Sequence, residues 1–402
     1  MAVRATRKGR PAVLFIDDSG WDCFFQLAAG IKRAGIRTVR ITRSSQSRAT
    51  SRLFFDRTLH LGGDVSDPID LPGILEGEHI IDVQTTEAMA VAAGKAFTLL
   101  PPSRRTEAWN QRAAGTDKLL VSERLREVGL DVPRVLSGLD ADAGRIVREL
   151  GLPVVRKLRV ASGGEGMSIV DTREELDALL AEGPPSDRYF FEQFIEGTEL
   201  QIGGVFGGRE NVVVTYETLQ RRGAHQPACR IRLIDDPGLE ETGREVAEVL
   251  GISGFMNVNL IRDADGREWI HDVNPRVFGS FMAFRRVGVD FQRAYLNWLF
   301  DASRRGPCLA TDGSSITVFP AAYREELQVG RPGAIAGFLR VAYPYVRWAG
   351  LRYVAYELGR QLLHEIEHRP DPNQGAAVGH NFRWVRKGEG SEGLGVLQPR
   401  HR

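Results

Sequence analysis

The sequence predicts a multidomain chain of α/β and α+β type, with a Rossmann-like N-terminal domain followed by a two-lobed α+β unit. Three observations carry this. The chain has 402 residues, and single cores stop growing at about 250 to 300 residues. The opening alternates strand, helix and strand, as parallel sheets require. From residue 189 to 274 the chain becomes a series of short apolar runs separated by turn residues, the pattern of an antiparallel sheet.

In order, AVLFID (12–17) reads as a buried strand, Phe24 to Ala34 as a helix and TVRIT (38–42) as a second, parallel strand. Strand-like runs at 52–61 and 78–83 and an Ala-rich helix at 87–97 extend this unit to about residue 105. The turn DDSGWD after the first strand lacks the Gly-x-Gly-x-x-Gly pattern, so a dinucleotide site here has little support. The loop-like PPSRR (101–105) marks a boundary, after which an amphipathic helix (117–130), a strand (132–136) and a helix (141–150) follow. A Gly-Ser hairpin spans 153–170, and Thr172 with Glu175 makes a capping box for a helix through Leu180. The runs 189–195, 199–206, 211–219 and 228–234 are expected in one antiparallel sheet. Asp236 and Pro237 open a helix to Leu250. Two strands (255–263 and 268–274) and a long helix from Phe281 to Phe300 follow. Residues 332–366 carry helical periodicity, with Leu351, Val354, Leu358 and Leu362 on one stripe, and 387–402 reads as a flexible tail. No internal repeat is visible.

With 53 basic against 52 acidic side chains, the net charge of +1 gives no electrostatic case for nucleic acid. Cys23, Cys229 and Cys308 lie far apart without paired spacing, so neither a disulfide framework nor a Cys-based zinc site is suggested, and a reducing cytoplasm fits best. The apolar run Ala12 to Ile16 stops at Asp17 and Asp18, too short for a signal-peptide core. No stretch approaches the roughly 18 apolar residues of a membrane span.

Three segments offer chemistry. In PVVRKLRVASGGEGMSIV (153–170), Ser162, Gly163, Gly164 and Gly166 form a tip whose backbone N–H groups can approach phosphate, beside the cation Lys157. A surface hairpin with a solvated lysine explains the same residues. In WIHDVNPR (269–276), alternation puts Asp272 and Asn274 on one face, within reach of Asn259 on the preceding strand, giving oxygen ligands for a hard cation. A strand end capped by Asp and Asn turn chemistry is the competing account. In EQFIEGTEL (192–200), an apolar slot with Glu192 and Glu199 suits a purine nucleoside, and two exposed glutamates on a strand-turn-strand suit it as well.

Taken in order, these segments resemble the ATP-grasp superfamily, nearest its carbamoyl-phosphate synthase and biotin carboxylase branch, over about residues 10–305. The resemblance implies a Rossmann-like pre-ATP-grasp domain (1–105) and a two-lobed ATP-grasp domain (106–310). Its lid lies at about 132–195 and its C-terminal α+β part at 196–310, followed by a helical extension (311–386) and the tail. It implies ATP and Mg²⁺, with Mn²⁺ as a substitute. Lys118 and Lys157 would hold phosphates under the lid loop Ser162, Gly163, Gly164 and Gly166. Glu192, Gln193, Phe194 and Ile195 would form the adenine hinge, and Glu199 would hold the ribose. Asn259, Asp272 and Asn274 would hold the metal. Arg276 would stabilise the transferring group, and His225 would sit near the acyl phosphate. The sequence departs from the family pattern at Asn259 and Asp272, where many members carry Glu or Gln and Glu.

The implied activity is ligation of a carboxylic acid to an amine, with amino acids as candidate substrates, through an acyl phosphate and with release of ADP and phosphate. A bicarbonate-using carboxylase or carbamoyl-phosphate-type enzyme and a nucleotide-binding protein with a degenerate site are the alternatives. Bicarbonate-dependent ADP release would favour the first, and equal residual activity in Asp272→Ala and Arg276→Ala the second. The helix after the metal strand brings Arg285 and Arg286 as candidate carboxylate holders, although paired surface arginines are commonly solvated. The resemblance also carries an expectation of a homodimer.

Overall fold

The computed structural model describes residues 10–18, 21–43, 48–63, 115–161, 163–208, 211–221, 228–301, 313–319, 334–357 and 383–384, with 67, 69, 71, 75, 77–87, 89, 90 and 93 between them. The first unit is β1 (Pro11–Asp17), α1 (Asp22–Arg33), β2 (Arg37–Thr42), α2 (Arg48–Phe54), β3 (Arg57–His60) and β4 (His79–Thr85), a parallel sheet in the order β3-β2-β1-β4. Residues 12–16 of β1 are all fully buried, which is why this strand reads as a continuous apolar run. Beneath it, Phe15, Phe24, Phe25, Phe54 and Phe55 pack edge to face.

Residues 52–61 were expected to be one strand, whereas the chain forms α2 and then the short β3. Adjacent Phe54 and Phe55 are both buried on one core, at the end of a helix, which strand alternation does not permit. Arg40 is wholly buried, with Nη2 donating to Asp17 Oδ1 at 2.7 Å and Nε to Oδ2 at 2.9 Å. Of the Ala-rich helix, residues 87, 89, 90 and 93 are described and helical.

The second unit begins with α3 (Lys118–Glu127), capped by Asp117. A small antiparallel sheet follows, built from β5 (Val135–Ser137), β6 (Val154–Leu158), β7 (Ser168–Val170) and β8 (Tyr189–Gln193) in the order β5-β8-β6-β7. Helices α4 (Ala143–Glu149) and α5 (Arg173–Ala181) cover it through Ile146, Leu150, Leu176 and Phe191. Thr172 caps α5 by accepting from Glu175 N at 3.2 Å. The strand at 189–193 was expected beside those that follow it. It pairs with β5 and β6 instead, because Phe190 and Phe191 are both buried and the strand needs cover on both faces.

The large sheet runs β13-β12-β9-β10-β11-β14, from β9 (Gly197–Phe206), β10 (Val212–Arg221), β11 (Ala228–Ile234), β12 (Gly254–Arg262), β13 (Glu268–Asn274) and β14 (Ser315–Thr317), and β15 (Arg383–Trp384) pairs with β9. Helix α6 (Pro237–Leu250), capped by Asp236 with Pro237 in its first turn, covers one face. The expected long helix at 281–300 is two elements: a 3-10 turn (Ala283–Val287) and α7 (Phe291–Leu299), separated where Gly288 takes φ 90°. A residue in that conformation cannot continue a right-handed helix.

Helix α8 (Ala334–Ala349) packs Val341, Ala342 and Tyr345 against the core shared with α1. After Gly350 at φ 94° a further helical run, 351–357, starts in a new phase. Leu351 is therefore exposed whereas Tyr353 and Val354 are buried, which corrects the expected stripe. Leu358, Leu362 and the tail at 387–402 lie outside the described residues.

Gly203 lies in mid-sheet, where an added Cβ would fall 2.6 Å from the Phe278 ring. Gly203→Ala should cost about 1–3 kcal/mol through overpacking, read as a lower urea midpoint. An unchanged midpoint would mean that the Phe278 cluster yields freely. Burial pushes the Cys23 thiol up to about 12, so it is a packing residue with negligible thiolate at neutral pH.

Candidate functional site

Lys157 is the fourth residue of β6, and its alternation turns it inward towards β13. There Nζ forms an ion pair with Glu192 Oε1 and donates to the His271 carbonyl oxygen at 3.0 Å. Lys118, at the start of α3, reaches the same strand from the other side and pairs with Asp272 Oδ1. Its helix is fixed to the end of β6 by the bidentate Arg159–Asp117 pair and by Lys118 N donating to Arg159 O at 2.9 Å. Both lysines thus converge on β13.

Asp272 is the centre of the cation-binding candidates. Its Oδ2 accepts from Asn259 Nδ2 at 3.2 Å and from Asn274 Nδ2 at 2.9 Å. The register pairs Asn259 with Asp272 across β12 and β13, which brings together the three residues expected there. Burial works against the charged form of Asp272, but the adjacent Lys118 ammonium wins and holds the carboxyl well below the usual carboxylate range. Glu192 shows the opposite outcome: burial outweighs Lys157 and raises it. The difference follows the donors, since Glu192 Oε2 has no hydrogen bond among the described residues. Burial, and next the Lys157 charge, push His271 down to about 3, so its imidazole is neutral.

Pro133, Val155, Lys157, Glu192, Phe194, Ile195, Ile261 and His271 line a cleft at the junction of the two sheets, with Gln193 on its wall. Residues 192–195, expected to form a purine slot, are among those that line this cleft. Glu199 is not open to that slot: it is buried and paired with Arg221, with Gln201 Nε2 3.4 Å away. Burial lowers Arg221 to about 10, which leaves it cationic at neutral pH. After β6, Gly163, Gly164 and Gly166 take φ of 64°, 80° and 65°, left-handed conformations that glycine adopts without strain. Ser162 and His225 lie outside the described residues.

Arg276, just past β13, turns towards the N-terminal unit. Its Nε donates to Glu87 Oε1 at 2.6 Å and its Nη2 to Asn274 Oδ1 at 3.0 Å, and its guanidinium lies 3.9 Å from the centre of the Trp21 ring. Val277 N donates to Gln84 Oε1 at 3.2 Å, which fixes the same turn. Glu87 and Trp21 follow the carboxyl end of β4 and precede α1, the edge where parallel sheets place ligands. Sequence reasoning missed both, although a carboxylate directly after an apolar parallel strand is a usable signal. Arg285 pairs with Asp290 at 2.5 Å, next to its own turn.

Asp272 with the amides of Asn259 and Asn274, the two lysines and Arg276 thus gather on and around β13, and Lys157 and Glu192 also line the cleft. A family model described as an ATP-grasp domain matches residues 115–280. Residues 115–280 thus carry an ATP-grasp domain, with the cleft between the sheet β5–β8 and the large sheet. Among relatives, the carbamoyl phosphate synthase arginine-specific large chain of Bacillus subtilis is 29% identical over 144 residues, 34% of this chain and 14% of that protein. The D-alanine–D-alanine ligase of Desulforudis audaxviator is 33% identical over 168 residues, 37% of this chain and 55% of that one. These alignments thus span only part of the relatives' length. The structure of carboxyaminoimidazole ribonucleotide synthase from Aspergillus clavatus complexed with ATP aligns with TM-score 0.61 and 14% identity over 84% of this chain and 100% of that one. L-amino acid ligase from Bacillus licheniformis gives 0.56 and 18% over 73% and 75%.

Proposed function

We propose that this protein joins a carboxylic acid to an amine at the expense of ATP, through an acyl phosphate and with release of ADP and phosphate. The observation that carries the reading is the convergence of Lys118, Lys157, Asp272, Asn274 and Arg276 on β13 and its exit, with Lys157 also lining the cleft. The similarity to D-alanine–D-alanine ligases and to the fold of an L-amino acid ligase supports amino acids as substrates.

A carboxylate is a poor electrophile until phosphorylation gives it a leaving group. In this reading the adenine lies in the slot along Gln193, Phe194 and Ile195, with Glu192 at its inner end. Lys157 and Lys118 leave their carboxylate partners for the phosphates, while Gly163, Gly164 and Gly166, with Ser162, fold over them and exclude water. Asp272, with Asn259 and Asn274, fits one Mg²⁺, which commonly binds one or two carboxylates and takes its other ligands from phosphates and water. When bound, that ion supplies charge neutralisation between the phosphates. Arg276 faces the negative charge that develops at the reacting carboxyl. Glu199 reaches a ribose only by exchanging Arg221, and His225 is kept as a candidate near the acyl phosphate.

The assay is ADP release from Mg-ATP with acids and amines supplied singly and in pairs. Release that needs both an acid and an amine is expected; release with bicarbonate alone would move the protein to the carboxylating reading. We further infer a homodimer, with a light-scattering mass near twice 44.6 kDa. We also infer a reducing, cytoplasmic setting, supported by Cys23 and Cys229, which are buried and in no disulfide. No helix among the described residues is long and apolar enough to cross a membrane.

A further inference from the structure

Strand β4 carries Asp82 and Gln84 two positions apart, on one face. Across β1 they pair with Val13 and Phe15, members of the aromatic core that also holds Val277 and Tyr295. Asp82, Gln84 and Tyr295 are all wholly buried. Polar groups in such a core cost free energy unless they are hydrogen-bonded, so the bonds that hold them there identify their role.

The Tyr295 hydroxyl, from α7, and Gln84 Nε2, at 2.9 Å, both donate to Asp82 Oδ2. With its NH₂ committed to the carboxyl group, the Gln84 amide turns its oxygen the other way, and Oε1 accepts from Val277 N at 3.2 Å. The carbonyl oxygen of the same residue accepts from Arg276 Nη1 at 3.3 Å. Val277 thus links Gln84, on its N–H, to the Arg276 guanidinium, on its C=O. Glu87 and Asn274 hold the other two guanidinium nitrogens, but they act on the side chain alone. Gln84 acts on the backbone from which the arginine extends.

We infer that Gln84 is a positioning residue for Arg276: by holding Val277 N it sets where the arginine stands against the reacting carboxyl, and Asp82 with Tyr295 keeps the amide in the orientation this needs. This rests on the ligase reading given above, in which Arg276 faces the charge that develops in the transition state. The N-terminal sheet then acts on the reaction through a hydrogen bond between residues 193 positions apart.

Gln84→Met keeps the length of the side chain and removes the acceptor for Val277 N. In ADP release that depends on acid and amine, it should lower kcat by about 10- to 100-fold, the order of loss that a displacement of about 1 Å causes. The KM for Mg-ATP should stay within about threefold, the signature of a contact that counts in the transition state. In an Arg276→Lys background, which lacks the link to Val277 O, the same substitution should change kcat by less than about threefold, because the two act as a unit. Losses that multiply in the double variant, or a KM that rises as kcat falls, would mean that Gln84 serves the fold at large and would overturn the inference. Gln84→Asn, whose amide is one methylene short of Val277 N, gives the same comparison if Gln84→Met does not fold.

A second reading is free of turnover. The Arg276 Nε–H, held by Glu87, can be followed by heteronuclear NMR of the full-length protein and assigned by its loss in Arg276→Lys. Its hydrogen exchange should quicken at least about fivefold in Gln84→Met, the weight of one net hydrogen bond. An unchanged rate overturns the inference whatever the activity. If exchange quickens but no acid and amine elicit ADP, the ligase reading fails and the placement of Arg276 by Gln84 stands.

Discussion

Replacing Asp272 by alanine is expected to lower ADP-forming turnover by about three orders of magnitude, equivalent to about 4 kcal/mol of transition-state stabilisation. Asp272 is the single carboxylate among the candidate metal ligands, and it accepts both neighbouring amides. Its loss removes the anionic anchor for the cation and leaves the Lys118 ammonium, now unpaired, at the same spot. The two effects reinforce each other, because a divalent ion would meet a positive charge where it had met a negative one. Asp272→Asn keeps the shape and should fall nearly as far, which would assign the loss to charge. Single-turnover ADP release, with nucleotide binding measured separately, checks this; more than a tenth of wild-type turnover in Asp272→Ala would refute the cation site.

Lys157→Met should raise the dissociation constant for Mg-ATP by about 10- to 100-fold, the usual weight of a charge-assisted contact to phosphate. It should also destabilise the free protein by about 3–5 kcal/mol, because it leaves Glu192 as an unpaired buried charge. The double variant Lys157→Met/Glu192→Leu separates the two. Both members of the pair are more than nine-tenths buried, and a buried pair replaced by apolar groups of similar size is often neutral or better. The double variant should therefore regain its melting temperature without regaining nucleotide affinity. Recovery of both would show that Lys157 serves folding and does not touch phosphate.

Much of the site was readable because its chemistry is local in sequence. Asp272, Asn274 and Arg276 follow one another along a strand and its exit, and β pleating alone puts the first two on one face. Thr172, Asp236 and the glycines at 163, 164 and 166 are legible for the same reason, since caps and left-handed turns depend on a few neighbouring residues. The errors have physical causes too. Phe54 and Phe55 suit a strand by propensity, yet the aromatic core took them as a helix end. The stretch 281–300 has helical composition, but Gly288 breaks it.

The sequence by itself determined the order of elements, the parallel opening, the glycine tip and the types of residue that could hold phosphate and a cation. Tertiary structure alone decided their partners. Lys157 meets the His271 carbonyl 114 positions away, Lys118 meets Asp272 at 154, and Arg276 meets Glu87 at 189. None of these pairings has a spacing to read, because each is made by how separate sheets pack. The free energy that brings such residues together comes from burying side chains such as Phe278, Phe281 and Phe284, not from the charged groups themselves.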